Sequence, residues 1–370
     1  MTLLEQITEI EELNQCYREC AKASREKYQT QHYGENLLIN NIILSEELRN
    51  NTYRVLPTND FILHERGKIR DIHAPNIRDR IVQKTLNKNV LVPTLRKYLI
   101  YDNGASLKGK GTSFTRKRLK IHWNYAIKNY GDFYILKIDI KKYFENIDHE
   151  ILWNLVKDKI DDSIKSLTKY VIDSSTSTNK GLNLGSETPQ ILAVFYLSII
   201  DNYCKTVKRI KCYGRYMDDI YVFSDSKLEL KELKNEISLL LCNKLKLQAN
   251  NRKTYITKST RGIVFMQQKY FTKEGKLVVT PVHKKFTRER RKLKAYSRCL
   301  KRDEILVSDI ALWYKSWKCA ILKSGCCRKS VFTIDKYFHK LFDNIIQIGI
   351  NCYILKEDVT APSKLLDTSK

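Results

Sequence analysis

Cys212-Tyr-Gly-Arg-Tyr-Met-Asp-Asp-Ile-Tyr-Val-Phe-Ser224 is the stretch on which the reading of this chain turns. Aromatic and β-branched residues stand on both sides of Asp218 and Asp219. They read as two short strands joined by a tight turn, with the acids at its tip. Two adjacent carboxylates repel each other and gain little from packing, so something cationic should hold them. Oxygen ligands of this kind suit Mg²⁺, with Mn²⁺ as the alternative. Asp is also common at turns, so the run by itself equally describes an ordinary hairpin with a polar tip.

A third carboxylate narrows that choice. Phe133-Tyr-Ile-Leu-Lys-Ile138 reads as a buried strand that ends on Asp139, and strand ends are where chemical groups are usually presented. Asp139 precedes Asp218 by 79 positions (218 − 139), enough chain for helices to return the two strands side by side. Three carboxylates on neighbouring strands are able to hold two divalent ions roughly 3.5–4 Å apart, the arrangement used for in-line phosphoryl displacement.

At this point the chain resembles a known family, the RNA-directed DNA polymerases (reverse transcriptases) of bacterial retroelements, which include those of group II introns, diversity-generating elements and phage-defence systems. Tyr216-Met-Asp-Asp219 is similar to the family's catalytic hairpin, and Asp139-Ile-Lys-Lys-Tyr-Phe144 to its first aspartate motif. Lys68-Ile-Arg70 and Asp79-Arg-Ile-Val-Gln83 resemble its fingers segments. Gly181-Leu-Asn-Leu-Gly-Ser-Glu-Thr-Pro-Gln190 resembles the segment that meets template and incoming nucleotide. Asn250-Asn-Arg-Lys-Thr254 resembles the lysine motif and Gly262-Ile-Val-Phe265 the primer-grip hairpin, so the likeness covers roughly residues 45 to 275.

The resemblance implies an α+β fold of the right-hand polymerase type. Residues 1–45 would be an N-terminal helical extension, 46–135 the fingers, and 136–275 a palm with an antiparallel sheet and a helical insertion at about 150–178. Residues 276–355 would be a helical thumb and 356–370 a tail. Asp139 and Asp218 are expected to bridge two Mg²⁺ ions, with Asp219 as an auxiliary ligand. Lys68 and Arg70, which alternate along one strand and so share a face, are expected to grip a triphosphate. A solvated basic strand is the plainer alternative for them. Gly185, Gln190 and Lys253 fall at nucleotide-side positions of the family. Phe144 stands where the family excludes a 2′-hydroxyl, although a plain core role fits it too. Leu184 departs from the Gln that many relatives carry, and Pro189-Gln190 from their Ser-Pro, which points to weaker polar contact with the nucleotide.

Charge agrees with a polyanionic partner. The 370 residues carry 67 Lys+Arg against 41 Asp+Glu, a net +26, together with 22 Tyr for stacking. Lys108, Lys110 and Arg116 sit in or beside a Gly-broken basic loop before a helix. It lacks the P-loop pattern and is read as a cradle for template phosphates, with a solvated loop as the alternative. From His283 to Lys301 there are nine Lys/Arg, among them Lys284, Lys285, Arg288 and Arg291, against one acid, Glu289. On a helix that makes a cationic rod suited to a duplex. Trp313, Tyr314 and Trp317 lie at helical spacing and read as core.

Ten cysteines without CxxC pairs, and seven His without ligand spacing, read as reduced thiols of a cytoplasmic protein. No signal peptide and no spanning apolar run is evident. The expected partners are an RNA template, a DNA or RNA primer and deoxynucleotides, with a dedicated non-coding RNA and phage defence as the setting and no membrane. An accessory protein or a homo-oligomer fits the same reading. The alternatives are a diversity-generating element, template-independent or protein-primed synthesis, and a catalytically silent RNA-binding protein.

Overall fold

Four helices open the chain: α1 (Leu3–Thr8), α2 (Ile10–Ala21), α3 (Tyr28–Glu35) and α4 (Leu37–Arg49). The first starts in a reciprocal cap, Thr2 accepting from the Glu5 amide at 3.1 Å while its own amide donates to the Glu5 carboxylate at 2.8 Å. In α2 the apolar positions Leu13, Cys16 and Cys20 face inward at helical spacing. Helix α4 buries Asn41 and Ser45 beside Leu44 and Leu48. The Asn41 amide is satisfied by Tyr33 at 2.7 Å and by Asn14 at 2.8 Å. The computed structural model describes residues 2–65, 68–183, 187–323, 328–342, 345–347 and 353–355.

A two-stranded hairpin follows, β1 (Asn59–Glu65) and β2 (Lys68–Ala74), then α5 (Ile77–Leu86), a short α6 (Val92–Leu95) and the long α7 (Thr112–Tyr130). Strand β3 (Tyr134–Ile138) leads into α8 (His149–Val156) and α9 (Asp162–Asp173). The apolar run at 190–200 is divided between two helices, α10 (Glu187–Tyr196) and α11 (Ser198–Asn202). The break falls at Leu197, whose φ of −86° and ψ of 3° leave the helical range. Strands β4 (Tyr213–Tyr216) and β5 (Asp219–Ser224), helix α12 (Lys227–Leu245) and β6 (Tyr255–Lys258) complete this part.

Four of these strands form one antiparallel sheet in the order β4-β5-β3-β6. Its strands are apolar on both faces because both faces are covered. Leu136, Ile138, Ile220 and Val222 join one core with Leu230, Leu233, Ile237 and Leu241 of α12. On the opposite face Trp123 of α7 packs edge-on to Phe133 and Phe223, with ring centroids 5.4 and 5.3 Å away. Period-two alternation therefore sorts β5 into Ile220 and Val222 on one side, Tyr221 and Phe223 on the other.

The chain divides into two compact units, Met1–Lys258 and Ser259–Lys370. The second begins with a meander of β7 (Ile263–Phe265), β8 (Gln268–Lys273) and β9 (Lys276–Pro281). These strands, grouped with residues 136–275 by sequence, share a unit with the helices that follow. Gly262 enters the meander at φ +71°, where a Cβ would stand 1.8 Å from the Tyr270 carbonyl oxygen, so no side chain fits. Helices α13 (His283–Leu300), α14 (Val307–Lys323) and α15 (Arg328–Leu341) come next, then a short β10 (Ile345–Gln347) and β11 (Tyr353–Leu355). Phe286 and Leu293 of α13 pack with Tyr314, Phe338 and Phe342. Tyr314 stacks on Phe338 at 4.1 Å, while Trp313 and Trp317 lie partly buried beside that core. The mixed α+β class with antiparallel sheets is the one the sequence implied. Among the described residues no helix is long and apolar enough to cross a membrane, and the seven described cysteines are free.

Glu289, the single acid of the cationic helix, is buried in this second core. It is 5% exposed, its Oε1 has no hydrogen-bond partner, and burial pushes its carboxyl up to about 7 against the pull of Lys292. Tyr314 of α14, hydrogen-bonded to Asp335 of α15, is the other titratable group facing it. A carboxyl that titrates higher when folded binds its proton more tightly in the folded state. The resulting cost is absent below the unfolded pKa near 4.5, grows as pH rises, and is complete above about 7. Glu289→Gln should therefore stabilise the protein at pH 8 and much less at pH 5.5, the gap changing by about 2 kcal/mol. Calorimetric unfolding of both proteins at the two pH values checks this. An equal gap at both would show that Glu289 keeps its ordinary affinity for protons.

Candidate active site

Asp218 and Asp219 stand at the tip of the β4–β5 hairpin, where Tyr216 pairs with Asp219 across a two-residue turn of Met217 and Asp218. Met217 has a φ of +53°, a conformation uncommon for a long side chain. Asp139 follows the last residue of β3. Because Ile138 pairs with Ile220, one more step of the same register sets Asp139 across from Asp219. The sheet thus brings all three expected acids to one end.

The loop after α12 wraps this strand end. Asn250 donates through its amide to the Asp139 carbonyl at 2.7 Å and through its side chain to Oδ1 at 3.0 Å. Lys253 Nζ reaches Oδ2 at 2.9 Å and Oδ1 at 3.2 Å, and Thr254 Oγ1 accepts from the Asp139 amide at 3.3 Å. Lys253 titrates above its usual range because of that hydrogen bond to Asp139, helped by the charges of all three acids, and so is cationic at neutral pH.

Like charge and burial set the state of the other two acids. Burial, then Asp219 and Asp139, push the Asp218 carboxyl up to about 6, with Lys253 opposing. Burial also raises Asp219, against the nearby Lys137. Lys137 Nζ lies 3.4 Å from Asp219 Oδ1, yet that buried oxygen accepts no hydrogen bond. A buried carboxylate oxygen held only by an ion pair inside a cluster of acids is one that a hard divalent cation satisfies, so the donor set fits Mg²⁺ or Mn²⁺. Among the described residues no three His, Cys, Asp or Glu side chains are gathered closely enough to hold a metal ion. Lys137 and Lys253 supply the positive charge instead.

The remaining expected residues are distributed more widely. Phe144 lies in a 3₁₀ turn (Phe144–Asn146), partly buried and edge-on to Tyr143 with centroids 5.5 Å apart. Tyr143 is the more deeply buried of the two, its hydroxyl donating to the Ala193 carbonyl. Gln190 is exposed on α10. Gly185 lies outside the described residues. Lys68 and Arg70 are on β2, opposite Glu65 and Leu63, and their side chains are outside the described set. Lys284, Lys285, Arg288 and Arg291 are on α13 of the second unit.

The basic loop differs most from its reading as a phosphate cradle. Lys108 is exposed, but Lys110 lies over the rings of Tyr101 and Phe114 and donates to the Tyr101 carbonyl. Arg116 begins the first turns of α7 and is partly buried. The loop is joined to the hairpin: Asn103 bridges Arg215, the Gly104 amide donates to the Arg215 carbonyl at 2.9 Å, and the Arg215 amide donates to Asp102 at 3.2 Å.

Several residues at the site carry no sequence mark. Asp102 is buried and receives Arg118 at 2.6 Å and Lys205 at 3.0 Å. Burial works against the Asp102 charge, and these cations with His122 outweigh it, holding the carboxyl below its usual range. Burial lowers the His122 imidazole to about 4, and its Nδ1 lies 3.0 Å from the Tyr221 hydroxyl. Tyr221 can lie there because Gly214 is its cross-strand partner, where a Cβ would meet the phenol oxygen at 2.4 Å. A buried charge in an apolar strand, Arg215, was the available signal, but its partners lie on other elements.

Among solved structures, the chain is similar to apo telomerase from Candida tropicalis truncated from its C-terminal domain. The identity is 12% and the TM-score 0.46, over 65% of this chain and 60% of that one. It is also similar to Candida albicans telomerase with a fragment of telomeric RNA, at 13% identity and TM-score 0.46, over 71% and 55%. The chain thus spans less than two thirds of either telomerase chain. No curated protein matches it. Over residues 57–274, which take in most of the first unit and the first two strands of the meander, the chain matches, and belongs to, the reverse transcriptase (RNA-dependent DNA polymerase) family.

Proposed function

We propose that the protein copies an RNA template into DNA by nucleotidyl transfer at Asp139, Asp218 and Asp219. One observation carries this reading: the β3–β5 register sets Asp139 across from Asp219, beside Asp218, with a buried Asp219 oxygen left unbonded. Asp139, Asp218 and Asp219 would hold Mg²⁺, which would supply Lewis-acid activation of a primer 3′-hydroxyl and charge neutralisation at the departing pyrophosphate. Asn250 and Lys253 orient Asp139 through both its carboxylate oxygens. The Lys253 ammonium, half-exposed and protonated, is placed to offer charge or a proton from Nζ as pyrophosphate leaves. Lys68 and Arg70 grip the triphosphate, and Gly185 and Gln190 line the nucleotide side. Lys108, Arg116 and the α13 cations meet nucleic-acid phosphates, the last over a face whose Arg288 and Arg291 are exposed.

Replacing Asp218 by Asn keeps its shape and removes charge from the metal site. Extension of a DNA primer on an RNA template should fall roughly 10²-fold or more while template affinity and the unfolding temperature hold. Near-normal extension by Asp218→Asn would refute the assignment. A wild-type protein that binds RNA without extending a primer would instead favour the silent RNA-binding reading. Extension without any template would favour template-independent synthesis.

The same variant tests the setting. Phage defence with a dedicated non-coding RNA, rather than a diversity-generating element, is our proposal from the motif resemblance. Cells carrying the wild-type locus should restrict phage plaques and cells carrying Asp218→Asn should not. Equal plating would remove the defence role.

Phe144 is proposed to exclude ribonucleotides. Its ring is only partly buried, so truncation opens space toward solvent without emptying the core. Phe144→Ala should accept ATP against dATP more readily by roughly 10-fold or more, with dATP incorporation changed less. The two nucleotides compete on one template. An unchanged ratio would return Phe144 to a packing role.

A further inference from the structure

Arg215, one residue before Tyr216, is wholly buried, and its guanidinium serves three elements. Nε and Nη2 fork onto the Asp201 carboxylate of α11 at 2.8 and 2.5 Å. Nη1 donates to the Met217 carbonyl at 2.9 Å, inside the turn that presents Asp218. Nη2 also donates to the Val194 carbonyl of α10 at 2.9 Å. Asp201, equally buried, accepts a third bond from the Tyr213 hydroxyl at 2.6 Å. The main chain of Arg215 carries the loop at 102–104 on its other side. Five side-chain and main-chain partners thus fix one residue in one pose.

What that pose secures is unfavourable by itself. Met217 holds a left-handed φ of +53°, which costs roughly 1–2 kcal/mol for a residue with a Cβ. Such a conformation persists where neighbours over-determine it. The Met217 carbonyl is held by a planar, oriented donor that has no freedom to follow another turn. A buried ion pair is also a poor source of net stability, since apolar residues of the same volume usually do as well. Geometry, not stability, is what this arrangement delivers.

We propose that Arg215 is a positioning residue for the nucleotidyl transfer. By clamping the Met217 carbonyl it fixes the turn that aims Asp218, and through Val194 it ties that turn to α10, the helix that carries Gln190. The kinetic half of this inference rests on the function proposed above; the structural half does not. Lysine at this position keeps the charge and reaches Asp201, but a single ammonium cannot reproduce the fork or hold both carbonyls.

The chain has three methionines, Met1, Met217 and Met266, so a methyl-labelled sample gives a direct reporter of the turn. The Met217 signal is identified by its loss in Met217→Leu. In Arg215→Lys that signal should shift or broaden while the Met266 signal stays in place. On a primed RNA template, kcat should fall roughly 10²-fold, as misplacement of a reacting group by about 1 Å does. The KM for deoxynucleotide and the template affinity should stay within about 2-fold of wild type. An unmoved Met217 signal overturns the clamp, and a moved signal with unchanged kcat overturns the positioning role. Loss of kcat, KM and template affinity together with the unfolding temperature would make Arg215 merely structural. If Arg215→Lys does not fold, Asp201→Asn, which loosens the anchor but spares the guanidinium, takes its place with the same readouts. Should the wild type extend no primer at all, the proposed function fails, and the Met217 signal alone decides the clamp.

Discussion

The register in which β3 pairs with β5, Ile138 across from Ile220, governs everything at this end of the sheet. Side chains alternate with a period of two, so a slip of one residue would turn Leu136 and Ile138 away from α12 and present Lys137 to the core. The apolar set on both faces excludes that slip: Trp123, Phe133 and Phe223 lock one side, Leu136, Ile138 and Val222 the other. Once the register is fixed, Asp139 has nowhere to be but opposite Asp219. The acids are brought together by hydrophobic contacts that lie wholly behind them.

Such an assembly needs local positive charge, and the net +26 of the chain is not where it comes from. Lys253 sits 2.9 Å from Asp139 and Lys137 3.4 Å from Asp219, distances at which one ammonium outweighs many remote charges screened by salt. Burial first, then Asp219 and Asp139, still push the Asp218 carboxyl up to about 6 against Lys253. An acid whose charge is disfavoured by burial and by its neighbours gains from any cation that arrives. The site is thus assembled with a charge deficit that favours the metal on which the proposed chemistry depends.

The acids were legible in the sequence because strands announce their ends: a run of β-formers that stops at Asp139, and two runs broken by Asp218 and Asp219. The α+β class followed from the family resemblance that these motifs carry. Pairings between elements were not legible. Nothing near Asp201 marks it as the partner of an arginine 14 positions later (215 − 201), and Asp102 gives no sign that it will meet Arg118, His122 and Lys205. Charge counting also carries no orientation. Glu289 counts as the lone acid of a cationic helix, and it turns inward. Lys110 looked like a phosphate ligand and lies on Tyr101 and Phe114. Sequence patterns report which residues want burial, while these polar groups follow whatever partner the packing brings within reach.

Two networks of that kind flank the β4–β5 hairpin, and they differ in what they hold. The cluster around Asp102 joins the Gly-rich loop to α7 and reaches β5 through His122 and Tyr221, all by side chains. Its loss would loosen how the loop sits. Arg215 instead grips main-chain carbonyls, at Met217 and at Val194, which no side-chain rearrangement can move out of reach. The Asp218 carboxylate is one residue from the first of those carbonyls, so its aim follows that peptide directly. A rigid fork on the backbone is therefore the shortest mechanical route from the buried interior to the atom proposed to meet the metal, and it runs through a residue that touches neither substrate nor ion.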